Sequence, residues 1–377
     1  MPPDPIYMDH HATTPCDPQV VEAMLPYFTE IFGNPASLTH AHGRRAANAL
    51  EDARIAIARF FRAQPNELYF TAGATEANNL ALNLLEPGEH LITSAVEHKS
   101  VLVPAAELAQ RGVAVTILAP DREGFIAPDS LREALRPETR LVSIEAANGE
   151  IGTLQALGDL ASLCRDHGAL FHSDVTQAAG KVELDFSVLD MASFSAHKFY
   201  GPKGIGALYV RRGIRARSLI VGGGQERKLR AGTVNVPGAV GMAAALRLRS
   251  LEMSDEALRL TALRNELWDG IVREIDGASV YGPRALRLPG NLNVGFERVE
   301  ADSLMVAMRR FSLSSGSACS SGDRGPSPVL RAIGVSDEAA LGTIRIGLGK
   351  ANTVEHIGLL IEDLRRTVAR LREISAA

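Results

Sequence analysis

Cysteine is scarce in this 377-residue chain, with three residues at positions 16, 164 and 319. None lies within CxxC distance of another, which excludes a zinc knuckle or a disulfide scaffold, and a reducing, cytoplasmic compartment is expected. A basic excess is also missing. Lys plus Arg total 40 against 44 Asp plus Glu, a formal charge of −4, so no positive field awaits nucleic-acid phosphates. No apolar run approaches the roughly 18 residues of a membrane span. The opening Met1-Pro-Pro-Asp-Pro-Ile-Tyr7 lacks the basic start and apolar core of an export signal. A soluble, unprocessed protein with neither membrane nor nucleic acid as a direct partner is expected. No internal repeat recurs either, which removes solenoids and propellers.

What is present is core-forming sequence: 46% of residues are hydrophobic, enough for two or three domains at roughly 100 to 200 residues each. Short apolar, β-rich runs alternate with amphipathic stretches, which predicts an α/β fold with a mainly parallel sheet covered on both faces. Seven strands are expected: Glu67 to Thr71, His90 to Ser94, Val113 to Leu118, Arg140 to Ile144, Ala169 to Ser173, Met191 to Ser195 and Ile205 to Val210. Ala46, Leu50, Ala53, Ile57 and Phe61 recur at helical spacing, and Pro65-Asn66 breaks the chain after them. From about Ser254 the pattern changes to the helical stripes Leu260, Leu263, Leu267, Ile271 and Ile357, Leu360, Leu364, Val368, Leu371. Two strand-like pieces, Asn291 to Phe296 and Gly342 to Leu348, lie between them, with a polar Ser/Gly-rich loop around 312–328. A smaller second domain is expected there.

Chemistry-bearing residues gather at the expected strand ends, where an open α/β sheet binds its ligand. Leu68-Tyr-Phe-Thr-Ala-Gly-Ala-Thr-Glu-Ala-Asn-Asn79 reads as strand, small-residue turn and helix, whose free N–H groups suit an anion such as a phosphate. An ordinary helix start capped by Thr75 accounts for that segment equally simply. It is neither GxxxxGK[ST] nor GxGxxG, so nucleotide binding is not supported. Asp174, in Phe171-His-Ser-Asp-Val-Thr-Gln177, follows a buried strand and needs a cationic partner, for which a protonated pyridine nitrogen or a helix-capping role would serve. Lys198, in Ser195-Ala-His-Lys198, ends another strand among hydroxyls, an imidazole and glycines. There an amine with a lowered pKa can form a Schiff base, whereas a surface lysine would show amphipathic periodicity that is missing around it. His98, in Val96-Glu-His-Lys-Ser100, can stack on an aromatic ring or serve structurally. Taken in order, a phosphate seat, a carboxylate, a lysine and an imidazole describe a pyridoxal phosphate (PLP) site.

The chain resembles the NifS/IscS-type cysteine desulfurases of the class V aminotransferase superfamily over nearly its whole length. The resemblance is carried by Tyr7-Met-Asp-His-His-Ala-Thr-Thr-Pro15, Gly33-Asn-Pro-Ala-Ser37, Thr71-Ala-Gly-Ala-Thr-Glu-Ala-Asn-Asn79, Val96-Glu-His98, Asp174-Val-Thr-Gln177 and Ser195-Ala-His-Lys-Phe-Tyr-Gly-Pro-Lys-Gly-Ile-Gly206. It continues through Gly222-Gly-Gly-Gln-Glu-Arg227, Ala231-Gly-Thr233, Ser315-Gly-Ser-Ala-Cys-Ser320 and Thr343-Ile-Arg345.

That resemblance implies the aspartate aminotransferase-like PLP-transferase fold, with a large domain over 16–253 and a small one made of 1–15 and 254–377. It implies that Lys198 holds PLP covalently, Asp174 pairs with the pyridine nitrogen, Gln177 bonds the phenolic oxygen and His98 stacks on the ring and carries protons. Ala74, Thr75, Ser195 and His197 would hold the phosphate. Thr233 would reach the phosphate of a neighbouring subunit, which implies a homodimer. Arg345, with Asn34, would bind the substrate, the guanidinium fork suiting a carboxylate.

Cys319 separates this reading from other PLP enzymes. Its Ser/Gly-rich surroundings suit a loop that carries a thiol to the cofactor, whereas Cys16 and Cys164 read as structural. L-cysteine would be converted to L-alanine with the sulfur retained on Cys319 as a persulfide and passed to an acceptor protein, for iron–sulfur clusters, thio-cofactors or nucleic-acid thiolation. No resident metal is expected, and Cys319 would touch an iron–sulfur cluster only transiently. The alternatives are a selenocysteine lyase, an aminotransferase on the same fold, or a weakly active sulfur-relay scaffold. One departure stands out: Ala147-Asn-Gly-Glu-Ile-Gly152 carries Gly149 where the family has a second asparagine. A lost donor there predicts that Gly149→Asn improves cysteine affinity or turnover, unless the site has been rebuilt around glycine.

Overall fold

A computed structural model describes residues 5–315 and 325–376. Its central sheet has seven strands in the spatial order Leu68–Thr71, Gly206–Val210, Met191–Ser195, Leu170–Asp174, Thr139–Ser143, His90–Ser94 and Ala114–Leu118. These are the seven runs expected from the sequence, with ends moved by about a residue. Pairing is parallel throughout except for Gly206–Val210, which runs antiparallel to both of its neighbours. Every residue of His90–Ser94, Met191–Ser195 and Gly206–Val210 is buried. Burial on both faces is why these strands read as continuous apolar runs rather than as alternating ones.

Helices cover the sheet on two sides. One layer takes in Ala41–Phe60, Leu157–His167 and the first half of Val236–Glu274, and the other is built on Ala74–Leu82 and Lys99–Gln110. Arg54 of the first layer makes a buried bidentate pair with Glu226, at 2.9 Å and 2.7 Å, and donates to the Leu68 carbonyl at 2.7 Å. Glu226 also accepts the Phe70 N–H at 2.8 Å. The left-handed backbone at Glu226, Arg227 and Lys228 turns that carboxylate inward onto the edge strand.

A second sheet of four antiparallel strands is ordered Ser314–Ser315, Thr343–Gly347, Asn291–Phe296 and Ala278–Tyr281. Ala278–Tyr281 was not foreseen. It is a four-residue edge strand between Gly277 and Gly282, and none of its residues is buried, so it has no apolar signature. The change of pattern near Ser254 has a simple origin. Val236–Glu274 is one continuous 39-residue helix, whose core residues up to Leu248 pack on the large sheet and those from Leu260 onward pack on the small one.

The N-terminal segment straps the two sheets together. Ile6–Tyr7 pairs in parallel with Phe311–Ser312, Asp9 bridges to Gly347, and Thr14 N–H and Oγ1–H both donate to the His197 carbonyl at 2.9 Å.

Candidate active site

The carboxyl ends of four central strands open onto a cavity of about 1010 Å³, roomy enough for a cofactor and a small substrate. Lys198 lies in the short turn Ala196–Lys198 that follows the strand Met191–Ser195. Its Nζ donates to the His11 carbonyl at 2.6 Å and the Ala12 carbonyl at 2.8 Å, both on the N-terminal strap.

Asp174 ends the strand Leu170–Asp174 and is buried in the cavity wall. Its Oδ1 accepts the Thr176 N–H at 2.9 Å, and its Oδ2 accepts from Asn78 Nδ2 at 2.7 Å. The same Asn78 amide reaches Ser100 Oγ at 2.8 Å, which in turn lies 2.7 Å from His98 Nδ1. His98 is the N-cap of Lys99–Gln110, and its Nδ1 accepts the Ser100 N–H at 3.1 Å. That lone pair is therefore committed, which leaves Nε2 as the protonated nitrogen of the neutral ring. Burial lowers the His98 pKa, and Lys198 and Lys99 add to the effect against the opposing pull of Asp174. A neutral imidazole and a carboxylate are thus joined through the Asn78 amide and the Ser100 hydroxyl.

Opposite them is a cradle for an anion. Helix Ala74–Leu82 starts at Gly73 with no side-chain cap, so Ala74 and Thr75 offer their amides to the cavity they line. The turn reaches the sheet because Gly206 lacks a side chain: a Cβ there would sit 2.6 Å from the Gly73 Cα. Ser195, whose Oγ would lie 3.7 Å from a Cβ at Gly73, and His197 line the same cavity. Burial, reinforced by Lys198, Lys203 and Lys181, pushes the His197 pKa down to about 4, and its Nδ1 lies 3.0 Å from Thr13 Oγ1.

Arg345 enters from the small sheet, on the strand Thr343–Gly347, and is 2% exposed. Its Nη2 pairs with Asp9 Oδ1 at 2.9 Å, and its Nη1 donates to the Gly149 carbonyl at 3.2 Å. Gln177 also lines the cavity and lies directly against Gly149. A Cβ at position 149 would meet Gln177 Nε2 at 2.6 Å and Cδ at 2.9 Å. The space of a side chain at 149 is therefore already filled, and the geometry favours a site rebuilt around glycine over one that asparagine would improve.

Two expected residues stand apart within a single chain. Thr233 is exposed and does not line this cavity, and Asn34 is exposed with its Oδ1 accepting the Ala36 N–H at 2.9 Å. Cys319 lies outside the described residues.

The sequence matches the family described as Aminotransferase class-V over residues 6–360. The chain belongs to the class-V aminotransferase family. It is 47% identical to "Cysteine desulfurase IscS" of Anaeromyxobacter dehalogenans (strain 2CP-C), covering 98% of this chain and 94% of that protein. Among solved structures it resembles "NIFS-LIKE PROTEIN", with a TM-score of 0.91 and 35% identity over 97% of this chain and all of the other. It also resembles "SspA in complex with cysteine", with a TM-score of 0.81 and 37% identity over 91% of this chain and 98% of that one.

Within this class-V scaffold, several site residues escaped the sequence reading. Asn78 and Ser100 join Asp174 to His98, yet each is one small polar residue on a helix and carries no motif of its own. Glu97 and Glu145 line the cavity as buried acids; an acid directly after the apolar run Leu141-Val-Ser-Ile144 was the available signal. His11 and Lys181 both contact Gln177.

Proposed function

We propose that the protein is a PLP-dependent cysteine desulfurase that acts as a homodimer and passes sulfur from L-cysteine to an acceptor protein. The observation that carries this reading is the convergence on one cavity of an amine, a fixed carboxylate, an uncapped helix start and an arginine fork. PLP has a part for three of these: an aldehyde for Lys198, a pyridine nitrogen for Asp174 and a phosphate for the amides of Ala74 and Thr75 with Ser195 and His197; the arginine fork is left for the substrate carboxylate. When bound, the cofactor supplies an electron sink for negative charge developing at the substrate Cα.

The chain's own residues do the rest. Asp174, fixed by Asn78 and the Thr176 N–H, would hold the pyridine nitrogen. Lys198 would carry the substrate Cα proton on Nζ, and His98 would cover the cofactor's ring and hold a proton on Nε2. Arg345 exchanges its contact with Asp9 for the substrate carboxylate, and Gln177 donates to the phenolic oxygen. Cys319 attacks the substrate sulfur as a thiolate. The new S–S bond forms as the C–S bond breaks, its electron pair stays on the carbon side, and protonation there yields alanine.

The homodimer reading rests on Thr233, exposed on the single chain and matching a residue that serves a neighbouring subunit. Among the described residues no helix is long and apolar enough to cross a membrane, in keeping with action in the cytoplasm. The division into 16–253 and 1–15 with 254–377 fits the two cores that meet along Val236–Glu274.

Mass spectrometry after brief exposure to L-cysteine tests the reading, with one added sulfur atom expected on Cys319 and alanine released. Cys319→Ser should bind PLP yet form no persulfide. Lys198→Ala should lose both the cofactor's covalent attachment, read by borohydride trapping, and turnover. Full sulfur release by either variant would overturn the assignment.

A further inference from the structure

Beside the large cavity lies a second of about 30 Å³, room for about one water, bounded by His10, His11, Lys181, Tyr200, Arg249 and Glu256 among others. Lys181 has no place in the chemistry above. Its Nζ donates to Gln177 Oε1 at 3.1 Å, and Gln177 Nε2 donates to the His11 carbonyl at 3.0 Å. His11 Nδ1 lies 3.3 Å from the same Oε1, which makes it a second donor in the Nδ1–H tautomer. The His11 carbonyl also receives Lys198 Nζ at 2.6 Å, so that one carbonyl of the strap gathers Lys198 and the Gln177 amide, and Lys181 joins them through Gln177.

These contacts admit one orientation of the amide. An ammonium has only donors, so the Gln177 atom facing Lys181 is the oxygen. Flipping the amide would set its oxygen against the His11 carbonyl and its N–H groups against a cation. In the observed orientation Nε2 spends one N–H on His11 and keeps a second, and Gln177 lines the large cavity. Gly149 makes this possible by leaving open the space in which the amide lies. Burial, Lys198 and Arg345 lower the Lys181 pKa to about 7 against the pull of Glu256, and both its ammonium and its amine form can donate to Oε1.

We infer that Lys181 is a positioning residue: acting through Gln177 Oε1, it locks the amide over Gly149 so that Nε2 presents its remaining N–H to an acceptor in the active site. This inference rests on the cofactor reading above, in which the acceptor is the phenolic oxygen of PLP.

The test uses the PLP-loaded enzyme and reads the pH midpoint of the absorption of its lysine-bound cofactor in the parent, Lys181→Met, Gln177→Ala and the double variant. A donor to the phenolic oxygen stabilises its deprotonated form, so losing that donor raises the midpoint. Each single variant should raise it by about half to one pH unit, and the double variant by no more than either single, since the two residues act as a unit. Lys181→Arg keeps a donor and should restore the parent midpoint; it also stands as the test if the methionine variant does not fold. A parent-like midpoint in Lys181→Met would overturn the inference, as would an undiminished Lys181→Met shift in the Gln177→Ala background, which would mean that the charge acts directly. A midpoint in Lys181→Arg displaced as far as in Lys181→Met would overturn it too. Failure of the parent to take up PLP on Lys198 is a separate result, which would overturn the cofactor reading and this inference with it.

Discussion

Raising the pH from 5 to 9 should cost this protein stability through two acids buried in the wall of its active site, and Glu97→Gln should remove much of that cost. Glu97 and Glu145 are 4% and 6% exposed. Glu97 Oε1 accepts from Ser94 Oγ at 2.7 Å and the Glu145 N–H at 2.8 Å, while Glu145 Oε1 accepts from Asn148 Nδ2 at 2.7 Å. No cation offsets either acid among the described residues; burial, the partner acid and Asp174 all favour the neutral forms. Glu97 is pushed from its ordinary 4.5 up to about 8, and Glu145 well above its ordinary value. The folded pKa lies above the unfolded one, so the folded state binds protons more tightly than the unfolded state. No cost arises below about pH 4.5, the cost grows through the interval up to about 8, and it is complete above it. At 1.36 kcal/mol per unit, that interval corresponds to at most about 5 kcal/mol. With an unfolding entropy of about 2.1 cal/mol/K per residue, this is roughly 6 °C in melting temperature. Glutamine keeps an acceptor for Ser94 and the Glu145 amide but cannot ionise. Thermal scans of the cofactor-free protein at pH 5, 7 and 9 should therefore show a smaller decline for Glu97→Gln than for the parent. Parallel declines would refute the reasoning, because they would mean that the pair does not hold its proton in the folded state.

Gly149→Asn should lower alanine formation from cysteine by about tenfold, equivalent to about 1.4 kcal/mol, because its Cβ displaces the Gln177 amide; steady-state kinetics check this, and a fall in KM or a rise in kcat would show that Gln177 yields freely. Arg54→Ala strands the buried Glu226 carboxylate and should cost about 3 to 5 kcal/mol in urea denaturation, where a loss under 1 kcal/mol would contradict the assigned role of that pair. Burial pushes the Cys164 thiol up to about 12 and raises that of Cys16. In a Cys319→Ser background, iodoacetamide at pH 8 should therefore label Cys164 only upon unfolding and Cys16 slowly, as followed by mass spectrometry.

How far the sequence could be read depended on how local each signal was. The central strands were legible as short β-rich runs set between amphipathic stretches, most of them buried on both faces, and Asn291–Phe296 as an alternation of Leu292, Val294 and Phe296 with polar or small residues. Ala278–Tyr281 was not, since an edge strand with no buried residue has no such pattern. Lys198, Asp174 and His98 stood out because each follows directly on a strand, so their convergence follows from the sheet. Asn78 and Ser100 meet only when two helices pack together. Such contacts depend on tertiary register, which spacing along the chain does not encode. The absent side chain at Gly149 was visible from the start, but its consequence was not, because the space is claimed by a residue 28 positions away, 177 minus 149.

The strap that ties the first strand to the far sheet also sets an order of events during synthesis. Residues 9–12 emerge from the ribosome early, but Asp9 finds Arg345 and Gly347 only near the end of translation. Until then the carbonyls of His11 and Ala12 are held opposite Lys198 from one side only, by Thr14 on the His197 carbonyl and by Gln177 Nε2. A nascent chain can complete its large sheet well before that point while its catalytic pocket still lacks one wall. The wall that Arg345 supplies is thereby completed only in a finished polypeptide, and a truncated product would carry Lys198 in a cavity open on the side of the small sheet.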